Sequence, residues 1–173
     1  MPDHLFNSEP HMPPAKLAEV TGLSADMQRD WRRRGYIENL GTQGSNGRWE
    51  YDWADALYVY LMRQMYDGGC ELSRALMFAV TLSPDVLLHA VKARYPGKVS
   101  PRFRYYRFQI DERGRLEDGK WFAVRFNDLN ALETRAVGLI VDCVALANDL
   151  PAAFGKPISD MDEAIERDLG GSR

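Results

Sequence analysis

Five arginines, Arg29, Arg32, Arg33, Arg34 and Arg48, stand within the twenty-one residues that end at Trp49, and the same region offers Lys16, Ser24, Gln28 and Tyr51. A guanidinium is a planar fork of donors, so it can hold a phosphate, or the edge of a guanine, through two hydrogen bonds at once. On a helix opening at Ser24, the polar face carries Asp26, Gln28, Arg29, Arg32 and Arg33, which suits a major groove walled by phosphates. Arg32, Arg33 and Arg34 close that segment. Cations are favoured at any helix C-terminus, but this end is where flanking phosphates would lie, and phosphate contact is the stronger reading.

Other chemistries find little footing. His89 is the only histidine beyond the N-terminal arm and sits among apolar residues, as a structural imidazole does. Asp142 and Asp149 lack a basic or nucleophilic neighbour with which to exchange a proton. There is no Gly-x-x-x-x-Gly-Lys-Ser/Thr phosphate loop, no Gly-x-Ser-x-Gly elbow and no His-Glu-x-x-His helix. Accordingly no catalytic residue, metal or cofactor is expected. Cys70 and Cys143 fall in apolar helical patterns without ligand spacing and read as reduced core thiols of a cytoplasmic protein. The run Arg102-Phe103-Arg104-Tyr105-Tyr106-Arg107-Phe108 could stack bases between its arginines. A half-buried strand produces the same alternation, and that reading is the stronger.

Local signals show which elements place the arginines. From Ala15 to Gly35 the spacing predicts two short helices joined by a tight turn: Leu17, Ala18 and Val20 face inward, Thr21-Gly22 turns, Leu23 plugs the elbow and Ser24 caps the second helix. Met27 and Trp31 form an apolar pair one turn apart. Tyr36-Ile37 leads into the glycine-rich Gly41 to Gly47 and then Arg48-Trp49-Glu50-Tyr51, which reads as a small β-wing. Asp52 caps a helix from about Trp53 to Asp67, stopped by Gly68-Gly69, and a further helix starts near Glu71.

This order of parts resembles the winged-helix DNA-binding domain of the MerR family and its excisionase-like relatives. The residues that carry the resemblance are Lys16 to Ser24, Arg29, Trp31, Gly35-Tyr36-Ile37, Arg48, Tyr51, Asp55 and the spacing of Gly68, Leu72 and Ala75. It covers roughly the first half of the chain. It implies that the second helix enters the major groove, that the wing follows the backbone, that Arg29 and Arg48 touch DNA, and that a long C-terminal helix pairs two subunits. Here the aromatic pair after the helix arginine reads Asp30-Trp31, and the step from Arg48 to Tyr51 is one residue longer than the commonest form.

Beyond Ser83 the pattern changes. Ser83-Pro84-Asp85 reads as a new helix start, Tyr95-Pro96-Gly97 as its end, and Phe103 to Ile110 with Trp121 to Phe126 as a β-hairpin. A long helix is expected from Leu129 to Asn148, with Leu132, Ala136, Leu139, Ile140, Cys143, Val144 and Ala147 on its apolar face and Asp142 and Asp149 sharing another. That face suits either its own hairpin or a second subunit.

The fold expected is therefore α+β: a flexible arm over 1–12, a winged helix over 13–81, a small α+β dimerisation or signal-receiving domain over 82–158, and an acidic tail over 159–173. At 173 residues and 45% hydrophobic content the chain can build such cores unaided. The net charge of −3 argues against indiscriminate nucleic-acid binding. From Ala15 to Arg63 there are seven basic and seven acidic residues, which fits a few placed contacts. No unbroken apolar run of spanning length is seen, so no membrane segment is expected. The expected function is a transcriptional regulator binding double-stranded DNA as a homodimer, with a small-molecule or protein effector at the second domain. An excisionase-like or DNA-packaging accessory factor, and a protein-interaction module without DNA binding, are the alternatives.

Overall fold

The computed structural model describes residues 12–97, 99–101, 103–109, 124–128 and 138–159. Runs of helices and two small antiparallel sheets follow one another along the described chain, which is compatible with an α+β fold. The chain divides into two compact units, Met1–Pro84 together with Pro151–Arg173, and Asp85–Leu150.

In the first unit, α1 (Pro14–Thr21) opens with a proline at its first position, where a missing N–H costs nothing. It ends at Gly22, whose φ of 69° a side chain would resist and whose N–H donates to Ala18 O at 2.8 Å. The Thr21 hydroxyl donates to Leu17 O at 2.7 Å and accepts from Leu23 N at 3.2 Å, tying the turn. Ser24 caps α2 (Ala25–Arg33) by accepting from Met27 N. The end of α2 is a Schellman closure: Gly35, at φ 81°, donates to Arg32 O and Tyr36 to Trp31 O.

Two short antiparallel strands follow, β1 (Thr42–Gln43) and β2 (Trp49–Glu50), with Thr42 opposite Glu50 and Gln43 opposite Trp49. Met12 and Tyr51 exchange backbone hydrogen bonds of 2.9 Å beside this hairpin, and both are buried. Met12, expected in a flexible arm, is thus part of the fold. α3 (Trp53–Asp67) begins with a capping box in which Asp52 accepts from Asp55 N and Asp55 accepts from Asp52 N. It is buried on most sides, from Ala56 and Leu57 to Met62, as a central helix must be. α1 packs on it, and Trp31 of α2 meets Tyr66 edge to face at 5.9 Å.

α4 (Leu72–Arg94) corrects the expected break at Ser83: it is one helix of 23 residues with Pro84 inside. Proline deprives Val80 O of its helical donor, and the Ser83 hydroxyl supplies one at 3.2 Å. The buried face explains the continuity. Ala75, Phe78, Ala79, Leu82, Val86, Leu87, Ala90 and Val91 keep helical phase across the proline, and their burial outweighs its cost of about 3 kcal/mol. By length and composition α4 could cross a membrane, although over half of its most apolar window is buried inside the protein.

The second unit holds a sheet of order β4-β3-β5, all antiparallel. β3 (Tyr105–Gln109) and β4 (Val124–Phe126) form the expected hairpin pairing. β5 (Gly138–Asp142) overturns the C-terminal half of the expected long helix: Leu139 and Ile140 lie on a strand, opposite Phe108 and Arg107. The described helix here is α5 (Cys143–Asn148), where Asp142 accepts from Val144 N and Ala145 N as the cap. Ile140-Val141 is β-branched and Gly138 is a poor helix former, so pairing with β3 wins locally. Asp142 and Asp149 therefore bracket α5 and do not share a helix face. The expected helical stretch at 129–137, with Leu132 and Ala136, and the acidic tail at 160–173 lie outside the described residues.

After Pro151 a 3-10 turn, Ala152–Phe154, returns the chain to the first unit. Phe154 is fully buried, 5.3 Å from the Trp53 ring and 6.2 Å from Tyr60. Residues 151–158, expected in the second domain, therefore complete the core of the first.

Candidate nucleic-acid interface

α2 and the β1-β2 hairpin hold most of the residues singled out in the sequence. Arg29 and Arg33 on α2 and Arg34 at its C-cap are exposed, and each has an acidic partner on that helix. Arg29 pairs with Asp26, while Asp30 takes Arg33 at 2.7 Å and Arg34 at 2.9 Å. The hydrogen bond from Arg33, with Arg34 adding to it, holds the Asp30 carboxyl below its ordinary range. Solvent screens such exposed pairs, so a phosphate can replace the carboxylate. Lys16 on α1 pairs with Glu19 at 2.6 Å. Ser24 is exposed, and its hydroxyl is engaged in the cap.

Three expected contacts are turned inward. Gln28 is buried: its amide nitrogen donates to Pro14 O at 3.0 Å and Leu23 O at 2.9 Å, clamping α2 to the start of α1 and to the turn. It is not part of the exposed polar face. Tyr51 is buried, with its hydroxyl accepting from Arg32 at 3.1 Å. Arg32 itself leaves the groove-facing set. Its guanidinium lies 3.6 Å over the Trp49 ring and donates to Leu40 O at 2.6 Å and Glu38 O at 3.3 Å. Trp49 is half-buried beneath it and serves as its platform.

At the hairpin tip, Gly44 N donates to Arg48 O at 2.8 Å, Gly47 N to Gly44 O at 2.9 Å and Arg48 N to Asn46 Oδ1 at 2.9 Å. The turn is held by its own backbone and the Asn46 side chain, and the Arg48 side chain is exposed, with no ion pair among the described residues. At the hairpin root, Asp55 Oδ2 accepts from Gly41 N at 3.0 Å as well as from Asp52 N. Burial, reinforced by the neighbouring Asp52 charge, pushes the Asp55 carboxyl up to about 6 despite those amide bonds. The sequence marked Asp55 only through its resemblance to a family pattern. The signal for its joining role was the Asp52-x-x-Asp55 box following a glycine turn.

Among its described residues the second unit shows no comparable set of exposed arginines. Tyr105, Tyr106 and Phe108 are all buried, so these aromatics are not available for base stacking. Arg104 pairs with Asp142 at 2.9 Å and lies 4.8 Å from the Tyr105 ring centre. Buried Asp85 accepts from the Tyr106 hydroxyl and from Phe103 N at 3.3 Å, and His89 Nε2–H donates to Phe103 O at 3.0 Å. These bonds hold β3 against α4. Burial raises both thiols, Cys143 to about 12. Among the described residues no cluster of His, Cys, Asp or Glu could hold a metal ion.

No family model matches this chain, and no curated protein matches it.

Proposed function

We propose that the chain is a sequence-specific DNA-binding regulator of MerR-like winged-helix type, with α2 entering the major groove and the β1-β2 hairpin following the backbone. The observation that carries this reading is the placement of Arg29, Arg33, Arg34 and Arg48: all four are exposed, on a helix and a hairpin tied to each other by Arg32. Arg29, in the middle of α2, is the base reader. Arg33, Arg34, Lys16 and Arg48 hold phosphates, while Trp49 is the platform for Arg32, which joins helix and hairpin. Gln28 and Tyr51 act as framework. The acidic partners of the α2 arginines favour sites that supply enough phosphates to displace them, so selectivity accompanies the modest net charge.

The regulator acts in the cytoplasm as a homodimer on two half-sites, with an effector received by the second unit, and it performs no reaction of its own. The test is selection of bound fragments from genomic DNA by the full chain, followed by titration at several salt concentrations. Binding should weaken by several powers of ten per decade of salt, as release of about four to six counterions per subunit requires. Arg29→Ala should cost about 1–3 kcal/mol on the selected site and blur its preference, whereas Arg48→Ala should weaken all sites alike. Salt-insensitive binding, or none from a genomic pool, would remove the proposal. Sedimentation as a monomer at tens of micromolar, both free and on DNA, would remove its dimeric part.

A further inference from the structure

We infer that Arg32 is a positioning residue that fixes the β1-β2 hairpin against α2, and that through this it sets how much the hairpin contributes to DNA affinity; the second half of this statement rests on the DNA-binding reading. Arg32 leaves the last turn of α2 with a guanidinium that satisfies three separate acceptors, Glu38 O, Leu40 O and Tyr51 Oη, while its flat face covers Trp49. Those partners come from the chain leading into β1, from β2 and from the residue that follows β2. A planar five-donor group can do all of this at once; an ammonium, with a point charge and no stacking face, cannot. The carbonyls of Glu38 and Leu40 also lie just ahead of Gly41, whose amide is held by Asp55. The hairpin root is thus pinned from α2 by Arg32 and from α3 by Asp55. No neighbouring acid takes the Arg32 charge in an ion pair among the described residues, in contrast to Arg29, Arg33 and Arg34. Its hydrogen bonds go to neutral oxygens, as a framework contact requires, and the tip that carries Arg48 moves with the frame it holds.

The experiment compares the full chain with Arg32→Lys, Arg32→Ala, Arg48→Ala and the Arg32→Ala/Arg48→Ala double variant, using a DNA fragment selected by the wild type. If the competent hairpin position falls to about a tenth of the population, Arg32→Lys binds about tenfold more weakly although its charge is kept. The slope of log affinity against log salt should stay unchanged for both Arg32 variants. Arg48→Ala should flatten it by about 0.9, the loss of one phosphate contact. The Arg48→Ala effect should keep its size in the Arg32→Ala background, because bound complexes still close the hairpin and the cost of closing it adds separately.

A flattening of about 0.9 on Arg32→Ala, with affinity restored by Arg32→Lys, would overturn the inference and make Arg32 a phosphate contact. A readout independent of DNA is amide hydrogen exchange. Arg32→Lys should speed exchange at Gly41 and Gly44 while leaving Leu61, within α3, unchanged. Unchanged exchange at Gly41 and Gly44 would overturn the positioning role whatever the DNA result. If the wild type binds no DNA but exchange accelerates as expected, the DNA reading fails and the positioning of the hairpin stands.

Discussion

Replacing Asp55 by asparagine should make this protein more stable at neutral pH, and the size of the gain follows from the hairpin root. The Asp55 oxygen accepts from Gly41 N and Asp52 N, which would favour a charged acceptor, yet burial and the Asp52 carboxylate outweigh them and push the group from 3.8 to about 6. Each pH unit between those values corresponds to about 1.4 kcal/mol, and because part of the carboxyl still faces solvent the cost of the charge is set at about 1–2 kcal/mol. The folded protein holds this proton more tightly than the unfolded chain between about pH 4 and 6. Its contribution to stability is therefore fully present below about pH 4, declines as the pH rises to about 6, and is absent above. Asparagine keeps an acceptor oxygen for both amides and carries no charge. Urea unfolding followed by tryptophan fluorescence should place Asp55→Asn about 1–2 kcal/mol above wild type at about pH 7, with the gap closing as the pH is lowered to about 4. Titrations elsewhere cancel in the difference. A variant less stable than wild type at neutral pH, or a gap that does not vary with pH, would refute the claim that burial outweighs the amide bonds.

Gly22→Ala should lower stability by about 1–2 kcal/mol, read as a drop in thermal midpoint, because alanine resists the φ of 69° and its Cβ would run into the Arg63 guanidinium. Asp142→Ala should cost about 1 kcal/mol through loss of the α5 cap. Burial raises the Asp142 carboxyl, but Arg104 and the amides of Val144 and Ala145 bring it below its ordinary range, so the stability it confers is present above about pH 4 and disappears as the pH falls further. Unfolding of Asp142→Ala at about pH 7 and pH 3 checks this, with the difference from wild type narrowing in acid. Native protein treated with a disulfide reagent near pH 8 should modify Cys70, which is half-buried, well before Cys143, whose thiol is pushed up to about 12 and reacts only on unfolding.

The first unit was legible because its signals are local. Gly22, Ser24, Gly35 and the Asp52 box each fix a turn or cap within four residues, and the structure places α1, α2, the hairpin and α3 where those signals put them. Local preference misleads where distant packing overrides it. Pro84 reads as a helix boundary, and only the continuous buried face from Ala75 to Val91 carries α4 through it. Leu139 and Ile140 fit a helical stripe as well as a strand, and it is pairing with Phe108 and Arg107 of β3, 31 and 33 positions earlier in the chain, that decides. Within the candidate interface the sequence supplied the residue types but not their directions. Arg32, Arg33 and Arg34 are alike in composition and adjacent in order, yet only Arg32 has an aromatic platform and open carbonyls beside it. Gln28 is an amide on a polar helix whose inward direction depends on where α1 starts.

The return of Phe154 to the Trp53 and Tyr60 rings has a consequence for synthesis. The first unit is interrupted: its helices and hairpin leave the ribosome early, but the ring that fills the slot beside Trp53 is encoded 101 positions after it. At elongation rates of about 5–20 residues per second the slot stands open for about 5–20 seconds, with the flanks of two large aromatics uncovered. During that interval the nascent unit presents the surface that chaperones and aggregating chains both recognise. Any product released before Phe154 keeps that surface permanently, with every α2 arginine in place but the core behind them unclosed.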